Sequence, residues 1–466
     1  MMTAGKHPVG KWGWLLLALF LTTAWHAHAA ERPNVVLIAV DDMNNDLGCY
    51  GHPQVKSPNI DKLASRGVRF DRAYCQYPLC NPSRVSMLSG LRPDTTRVFD
   101  LKTPPRSHLR DVVFLPEYFR SQGYHTAHIG KIFHTGDEFE DPQSWDVEIR
   151  ETGKNPPAGA IVKSESLNRP VKYGIEWDVL SSRDEETADG VVARQSAAML
   201  QRLAADTKPF FLAVGFRRPH QPYAAPQEYF EFYPAERISP LEEPAEHLTK
   251  IPAAAFTYPP GTPNLSQQQR QSIVAAYHAC ITFVDAQIGI VIDALDELKL
   301  WDNTIVVFYS DHGYHLGEHG GMWHKMSLFE PSARVPLVIV APSAIGNGQA
   351  CERLVELVDI YPTLVELCGL PKREQLEGRS LRPLLENPAA AGKDAAYTQV
   401  QHGDVMGRSV RNERWRYTEW DGGRAGAELY DHESDPRELN NLAGEAKWAA
   451  EQLRMRGLLQ NGAAAE

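Results

Sequence analysis

The segment Cys80-Asn81-Pro82-Ser83-Arg84 places a thiol and a guanidinium one helical turn apart. Pro82 suits the first turn of a helix, so Cys80 falls at its start with Arg84 on the same face. A helix N-terminus beside an arginine favours an anion. By residue type alone this is a reactive cysteine at an oxyanion site. A Cys-dependent phosphatase loop puts its arginine further from the cysteine, where this chain has Ser86, which argues against that chemistry.

Two more constellations accompany it. Asp41-Asp42 and Asp311-His312 offer three carboxylates and an imidazole. Oxygen-rich ligation with one histidine suits a hard divalent cation, Ca²⁺ or Mg²⁺, better than Zn²⁺. Lys131 and His134, His220 and Lys325 complete the polar candidates. Lysine would act as a point charge on an anionic ester, and histidine as proton donor to a leaving alcohol. His315-Leu316-Gly317-Glu318-His319 has the spacing of a zinc-peptidase helix, but Gly313, Gly317, Gly320 and Gly321 make a regular helix improbable there. A glycine-rich loop ordered by hydrogen bonds is the expectation.

The elements that must position these groups are legible as short apolar runs. Val35–Val40, Phe210–Phe216, Thr304–Ser310 and Val335–Val340 read as strands buried on both faces. Helical patterns lie between them: Ile60–Arg66 with Asn59 as expected N-cap, Gln267 to about Leu298, and Val358–Leu367. The alternation predicts an α/β fold with a mostly parallel sheet covered on both faces. Sites in such sheets form at the carboxyl ends of strands, where Asp41-Asp42 and Asp311-His312 fall. Stretches 135–205 and 235–265 read as long surface loops that would shape specificity. Beyond about 385 the character changes. Ser409–Trp420 and Glu428–Asp431 suggest antiparallel strands around a Gly422-Gly423 turn, hence a catalytic domain over 30–385 and a smaller subdomain over 386–466.

Residues 1–29 read as a secretory signal: Lys6 and Lys11, an apolar run over Trp12–Leu21, and Ala27-His28-Ala29 before the expected cut. The expected location is therefore periplasmic or secreted. No later stretch reads as long and apolar enough to cross a membrane, so no membrane partner is expected after cleavage. The 466 residues, 43% hydrophobic and 23% charged, exclude a disordered, collagen-like or coiled-coil chain, and six cysteines are too few for a disulfide framework. If Cys80 is used in chemistry, five cysteines remain, so at least one is free. The net charge of −11, or −13 without Lys6 and Lys11, disfavours nucleic acid as a partner.

Cys-x-Pro-Ser-Arg at 80–84, Asp-Asp after the first strand and Asp-His-Gly at 311–313 resemble the formylglycine-dependent type I sulfatases of the alkaline-phosphatase superfamily. Leu47–Gly51, Ser57–Asp61, Arg92–Arg97, Leu316–Gly320 and Glu428–Tyr430 are most similar to the iduronate-2-sulfatase branch. The resemblance implies a large mostly parallel mixed sheet sandwiched by helices, with a C-terminal α+β subdomain carrying a short antiparallel sheet. It implies that a formylglycine-generating enzyme oxidises Cys80. One hydroxyl of the hydrated aldehyde would attack sulfur, and loss of the other's proton would release sulfate. By the same resemblance Asp41, Asp42, Asp311, His312 and the modified Cys80 hold one Ca²⁺. Arg84 and Lys131 stabilise the formylglycine and sulfate, and His134 assists turnover. His220 and Lys325 contact sulfate, either being placed to protonate the leaving oxygen. The implied substrate is a sulfated carbohydrate, attacked from a chain end. Two alternatives stand beside this: a phosphate or phosphonate ester hydrolase of the same superfamily, and a silent sulfoglycan-binding protein if Cys80 stays unconverted.

Overall fold

Asn34–Asp41 (β1) is buried at all eight residues, as a strand with neighbours on both sides and helices on both faces must be. The computed structural model describes residues 1–5, 32–150, 156–167, 175–239, 241–261 and 264–462. Beyond Gly5, the expected leader over 1–29 lies outside the described residues. Residues 32–466 form one compact unit.

The strands that follow are β2 (Val68–Tyr74), β3 (His125–Gly130), β4 (Val147–Ile149), β5 (Ile161–Leu167), β6 (Ile175–Leu180), β7 (Phe210–Pro219), β8 (Tyr223–Pro226), β9 (Thr304–Ser310), β10 (Arg334–Val340) and β11 (Ala350–Glu356). Eight of them form the main sheet in the order β11-β2-β10-β9-β1-β7-β3-β4. Strands β9, β1, β7 and β3 are neighbours and run parallel, so their carboxyl ends share one edge. The sheet is mixed because β10 is antiparallel to both β9 and β2. Its apolar run looks like the others, but only loop and single turns separate it from β9. With no crossover helix to carry the chain back, it returns in the opposite sense.

The pleat sorts β1 between two cores. Val36, Ile38 and Val40 join one apolar cluster, and Val35, Leu37 and Ala39 the other. Each of the Val, Leu and Ile side chains contributes about 1.5–3 kcal/mol on full burial. The first cluster is covered by the helix Gln267–Glu297, whose Ser266 caps it by accepting from the Gln269 amide. That helix is long and apolar enough to cross a membrane, contrary to the expectation from sequence, but its most apolar window is 89% buried inside the protein. Its apolarity is that of a core helix.

Other local expectations shift. The helix over 58–66 begins at Pro58, not after Asn59, because Pro58 takes the first helical position; Asn59 instead donates to Asp285. Stretch 135–205 is more than surface loop. It contributes β4, the β5–β6 pair and a helix, Ala188–Ala204, whose Val192, Met199, Leu200 and Leu203 are core residues. Its polar and alanine-rich sequence hides a narrow apolar stripe. Among its described residues, stretch 235–265 is short 3₁₀ segments and loop. The predicted helix over 358–367 opens with a 3₁₀ turn, Leu357–Asp359, and is α-helical from Ile360.

At the C-terminus, β12 (Ala396–His402), β13 (Val405–Arg411), β14 (Trp415–Trp420) and β15 (Ala427–Asp431) form an antiparallel sheet. The run 409–420 is thus two strands, turning at Asn412, whose side chain accepts from the Arg414 and Trp415 amides. Val400, Trp420 and Tyr430 pack with Tyr77, Leu79 and Phe329. The small sheet therefore buttresses the residues just before Cys80.

Candidate active site

Four adjacent strand ends deliver the predicted residues. β9 leads into Asp311 and His312, β1 ends in Asp41 and Asp42, β7 leads to His220, and β3 leads to Lys131 and His134. Cys80 opens the helix Cys80–Ser89, which is buried throughout.

Consecutive strand residues point to opposite faces, so Asp41 and Asp42 should diverge. They do not, because Asp42 adopts a left-handed φ of 65°. Asp tolerates that conformation better than most residues. Two clamps hold it. The Tyr277 hydroxyl donates to the Asp42 carbonyl (2.7 Å) and accepts from the Asn44 amide (2.9 Å). The Asp42 amide donates to Asp311 Oδ1 (3.2 Å). The sequence assigned Tyr277 no role at the site. It reaches the site from the middle of a core helix.

One ligand atom each from Asp41, Asp42, Cys80 and His312 lies within 4.8 Å of the others. His312 Nε2 is 3.3 Å from Asp42 Oδ1, 3.4 Å from Cys80 Sγ and 3.7 Å from Asp311 Oδ1. Its Nδ1 lies 2.9 Å from the Gly313 carbonyl and so carries the proton. The Nε2 lone pair then faces carboxylate oxygens, an arrangement that a cation between them would make favourable. Asp41 Oδ1 is buried with no hydrogen-bond partner among the described residues. The donor set and these two features fit a hard divalent cation.

Three cations interlock with three carboxylates. The Lys131 ammonium binds Asp41, and the Lys325 ammonium binds Asp42 while lying 3.3 Å from Cys80 Sγ. Arg84, fully buried, donates Nε to Asp311 Oδ2 (2.8 Å) and Nη1 to the carbonyls of Lys131 (2.8 Å) and Ile132 (3.0 Å), with Nη2 3.4 Å from Asp41. Its donors thus go to the site's own carboxylates and to the β3 loop. His220 Nε2 stands 4.0 Å from Asp42 Oδ2. His134 makes no hydrogen bond to the cluster among the described residues; its ring packs edge-on against Phe139.

The electrostatics assign protonation states. Burial, and then the Asp41 carboxylate, push the Cys80 thiol up to about 12, so the encoded cysteine is a thiol at neutral pH and a poor nucleophile. Burial would raise Asp42, but His220 and Lys325 hold it down to about 2. Burial, reinforced by Lys131, lowers His134 to about 3, and burial lowers His220 to about 4 despite Asp42. Both imidazoles are neutral at pH 7. Burial opposes the charge on Lys325, yet Asp42 keeps its ammonium well above the usual lysine range.

The peptidase-like segment is not a helix. His319 and Gly320 have left-handed backbone, and His315 Nε2 bonds the Ser327 hydroxyl (2.6 Å). All six cysteines are unpaired.

A buried carboxylate and cation cluster at the carboxyl edge of an α/β sandwich defines an ester-hydrolase centre of the alkaline-phosphatase-like class. Comparison with known proteins is specific. The Sulfatase family model matches residues 33–370, and the model "N-sulphoglucosamine sulphohydrolase, C-terminal" matches 317–464. The chain belongs to the sulfatase family and is a sulfuric ester hydrolase. It is 34% identical to a sulfatase of Formosa agariphila, covering 92% of this chain and 86% of that one. It is 32% identical to human iduronate 2-sulfatase, covering 93% and 97%. Among solved structures, a phosphonate monoester hydrolase of Agrobacterium radiobacter superposes with a TM-score of 0.78 at 25% identity, covering 93% and 96%. A 2-O GAG sulfatase does so with 0.74 at 25% identity, covering 92% of each chain.

Proposed function

We propose that this chain is an exported sulfatase that removes sulfate esters from the ends of an acidic, sulfated glycan. The observation that carries the reading is the convergence of Cys80, three carboxylates, His312 and three cations at one strand edge. Cys80 is 1% exposed, so an ester must enter a pocket, which suits a chain end better than a chain interior. The iduronate 2-sulfatase and GAG sulfatase relatives support the substrate class, and the signal-like residues 1–29 support export.

Oxidation of Cys80 to formylglycine by a formylglycine-generating enzyme supplies a hydrated aldehyde where the thiol is unreactive. Asp41, Asp42, Asp311, His312 and residue 80 would hold one Ca²⁺, which supplies positive charge at the ester's oxygens. The protein's own side chains do the rest. Lys131 and Lys325 present ammonium charge to the anionic ester. Lys325, protonated and beside residue 80, is the better proton donor to the leaving oxygen. His220 is neutral, and its Nδ1 is 2.6 Å from the Gln221 carbonyl, which leaves Nε2 as an acceptor. His134, also neutral, is suited to accept a proton at turnover. Arg84 positions Asp41, Asp311 and the Lys131 loop.

The test replaces Cys80 by Ala or Ser, with sulfate release from sulfated oligosaccharides measured and the mass at position 80 determined. Loss of release, with aldehyde present in the parent protein, is expected; full activity in Cys80→Ala would overturn the mechanism. The phosphonate hydrolase likeness favours a second assay, aryl sulfate against phenylphosphonate ester. Faster sulfate hydrolysis is expected. Binding of sulfated oligosaccharide without any release would instead indicate a silent binding protein.

A further inference from the structure

A second cluster of ligand-bearing side chains lies where the 241–261 segment meets the glycine-rich loop, and the hydrolytic chemistry uses none of its three residues. Glu243, His247 and His319 each place one ligand atom within 4.8 Å of the others, and both imidazoles are more than nine-tenths buried. This cluster shares no residue with the Cys80 centre. His247 Nε2 and His319 Nδ1 are buried and have no hydrogen-bond partner among the described residues. Two buried imidazole nitrogens left without partners in one place require an explanation, since buried polar atoms are rarely orphaned.

The surroundings prepare them as donors. His247 Nδ1 bonds the Pro244 carbonyl, which fixes the proton there and leaves the Nε2 lone pair free. That lone pair faces Glu243 Oε2 at 3.4 Å. A histidine that gives its other N–H to a carbonyl is the usual outer support of a metal ligand. Glu243 is itself held, by Arg437 at 3.3 Å and by the Gly320 amide at 3.4 Å. His319 is turned inward by a left-handed backbone, φ 49°, uncommon for a residue with a side chain, and its ring stacks on Phe329 at 3.8 Å. A surface cleft of about 240 Å³, lined by Glu243 and His247 with Gly317 and Gly320, gives an ion a way in.

Two imidazoles and one carboxylate are a borderline donor set and select Zn²⁺ over the Ca²⁺ that an oxygen-rich centre favours. Bonds of about 2.0–2.1 Å at tetrahedral angles put ligand atoms roughly 3.3 Å apart, close to the Glu243–His247 separation. We propose that Glu243, His247 and His319 form a second metal site, taking one Zn²⁺ that ties the 241–261 segment to the 313–326 loop. That loop carries Lys325 at its far end, so the ion would act as a structural clip on one wall of the pocket.

The test uses the full-length protein in an Asp42→Asn background, which disables the Cys80 centre and leaves the second site intact. The protein is stripped with chelator, exposed to Zn²⁺ at micromolar concentration and desalted, and its zinc is counted by atomic emission. One Zn²⁺ per chain is expected in Asp42→Asn and one fewer in Asp42→Asn/His247→Gln. Zn²⁺ should also raise the thermal midpoint of the first protein and not of the second. Asp42→Asn/Glu243→Gln, altered at the edge of the cleft, repeats the comparison should the His247 variant fail to fold by circular dichroism. Equal zinc content in parent and folded variant would overturn the proposal. No zinc in Asp42→Asn would also overturn it.

Discussion

Arg84 is the residue for which the resemblance and the geometry disagree most usefully. A sulfate-binding role would have it meet the substrate, whereas its donors go to Asp311, to the Lys131 and Ile132 carbonyls and toward Asp41. Arg84→Lys keeps the charge and removes the fork. One ammonium can retain the Asp311 contact but cannot also reach both carbonyls. Two charge-assisted hydrogen bonds are lost, at about 1.5–3 kcal/mol each, or about 3–6 kcal/mol in all. Unfolding entropy of about 2.1 cal/mol/K per residue, over the compact unit 32–466, converts this to a Tm lower by about 3–7 °C. Because Asp41 and the Lys131 loop would both be released, kcat should fall at least ~100-fold, the effect of misplacing a reacting geometry by about an ångström. KM should stay within about threefold if Arg84 does not bind the ester. The assay is steady-state hydrolysis of an aryl sulfate, with rates normalised to the aldehyde fraction at position 80 measured by mass, together with a thermal melt. An unchanged Tm and kcat with KM raised tenfold or more would refute the reasoning and return Arg84 to the substrate.

Gly215→Ala would place a Cβ 2.0 Å from the Lys131 carbonyl oxygen and 2.3 Å from its carbon, so the two strands must part. A loss of about 1–3 kcal/mol and a marked fall in kcat are expected; a parental melt and rate would show that the β3–β7 contact is slack. Tyr277→Phe leaves the buried Asp42 carbonyl and Asn44 amide without their shared partner, at about 1–3 kcal/mol. A roughly tenfold loss in kcat with KM little changed is expected, and parental kinetics would dismiss the clamp. Burial would raise Glu330 and Glu438, but Arg416 dominates, holding Glu330 at about 2 and Glu438 lower still. Carboxylates depressed below an unfolded value of about 4.3 stabilise the fold above that pH, and the gain is lost as pH falls toward the folded value. The urea midpoint should therefore drop steeply from pH 5 to 3, and less steeply in Glu438→Gln. Equal slopes would contradict the assignment.

The parts of the site legible in the sequence are those where polar residues interrupt an apolar strand or open a helix. Asp41-Asp42 after β1, Asp311-His312 after β9 and Cys80 with Arg84 all have that signature, and the parallel edge that gathers them follows from the same apolar runs. What the sequence hid depends on tertiary context. Asp42's left-handed backbone has no local marker, and Tyr277 sits in a helix whose residues otherwise serve the core. The helix Ala188–Ala204 escaped notice because Asp189, Gly190, Ala193 and Ser196 share its buried face and interrupt the apolar periodicity. Strand β10 reverses because of the connection before it, which its own residues do not encode. Glu243 and His247, in an irregular stretch, meet His319 only through the fold.

The balance of charge in the pocket explains how an acidic protein can serve an anionic ester. Asp41, Asp42 and Asp311 face Arg84, Lys131 and Lys325 in near one-to-one pairs, so the encoded side chains sum to about zero. A divalent cation among the carboxylates would turn that balance to about +2. This offsets the single charge of a sulfate monoester and the further negative charge that develops on the oxygens of the transition state. The chain's −11 acts from a surface that salt screens within about 8 Å, whereas the pocket charges act at contact. The lysines therefore serve two ends: they allow three carboxylates to be buried together, and they stand ready to turn toward an incoming ester. The arginine, by contrast, is fully buried in its contacts with the acids and the β3 loop, which is why its replacement separates positioning from binding.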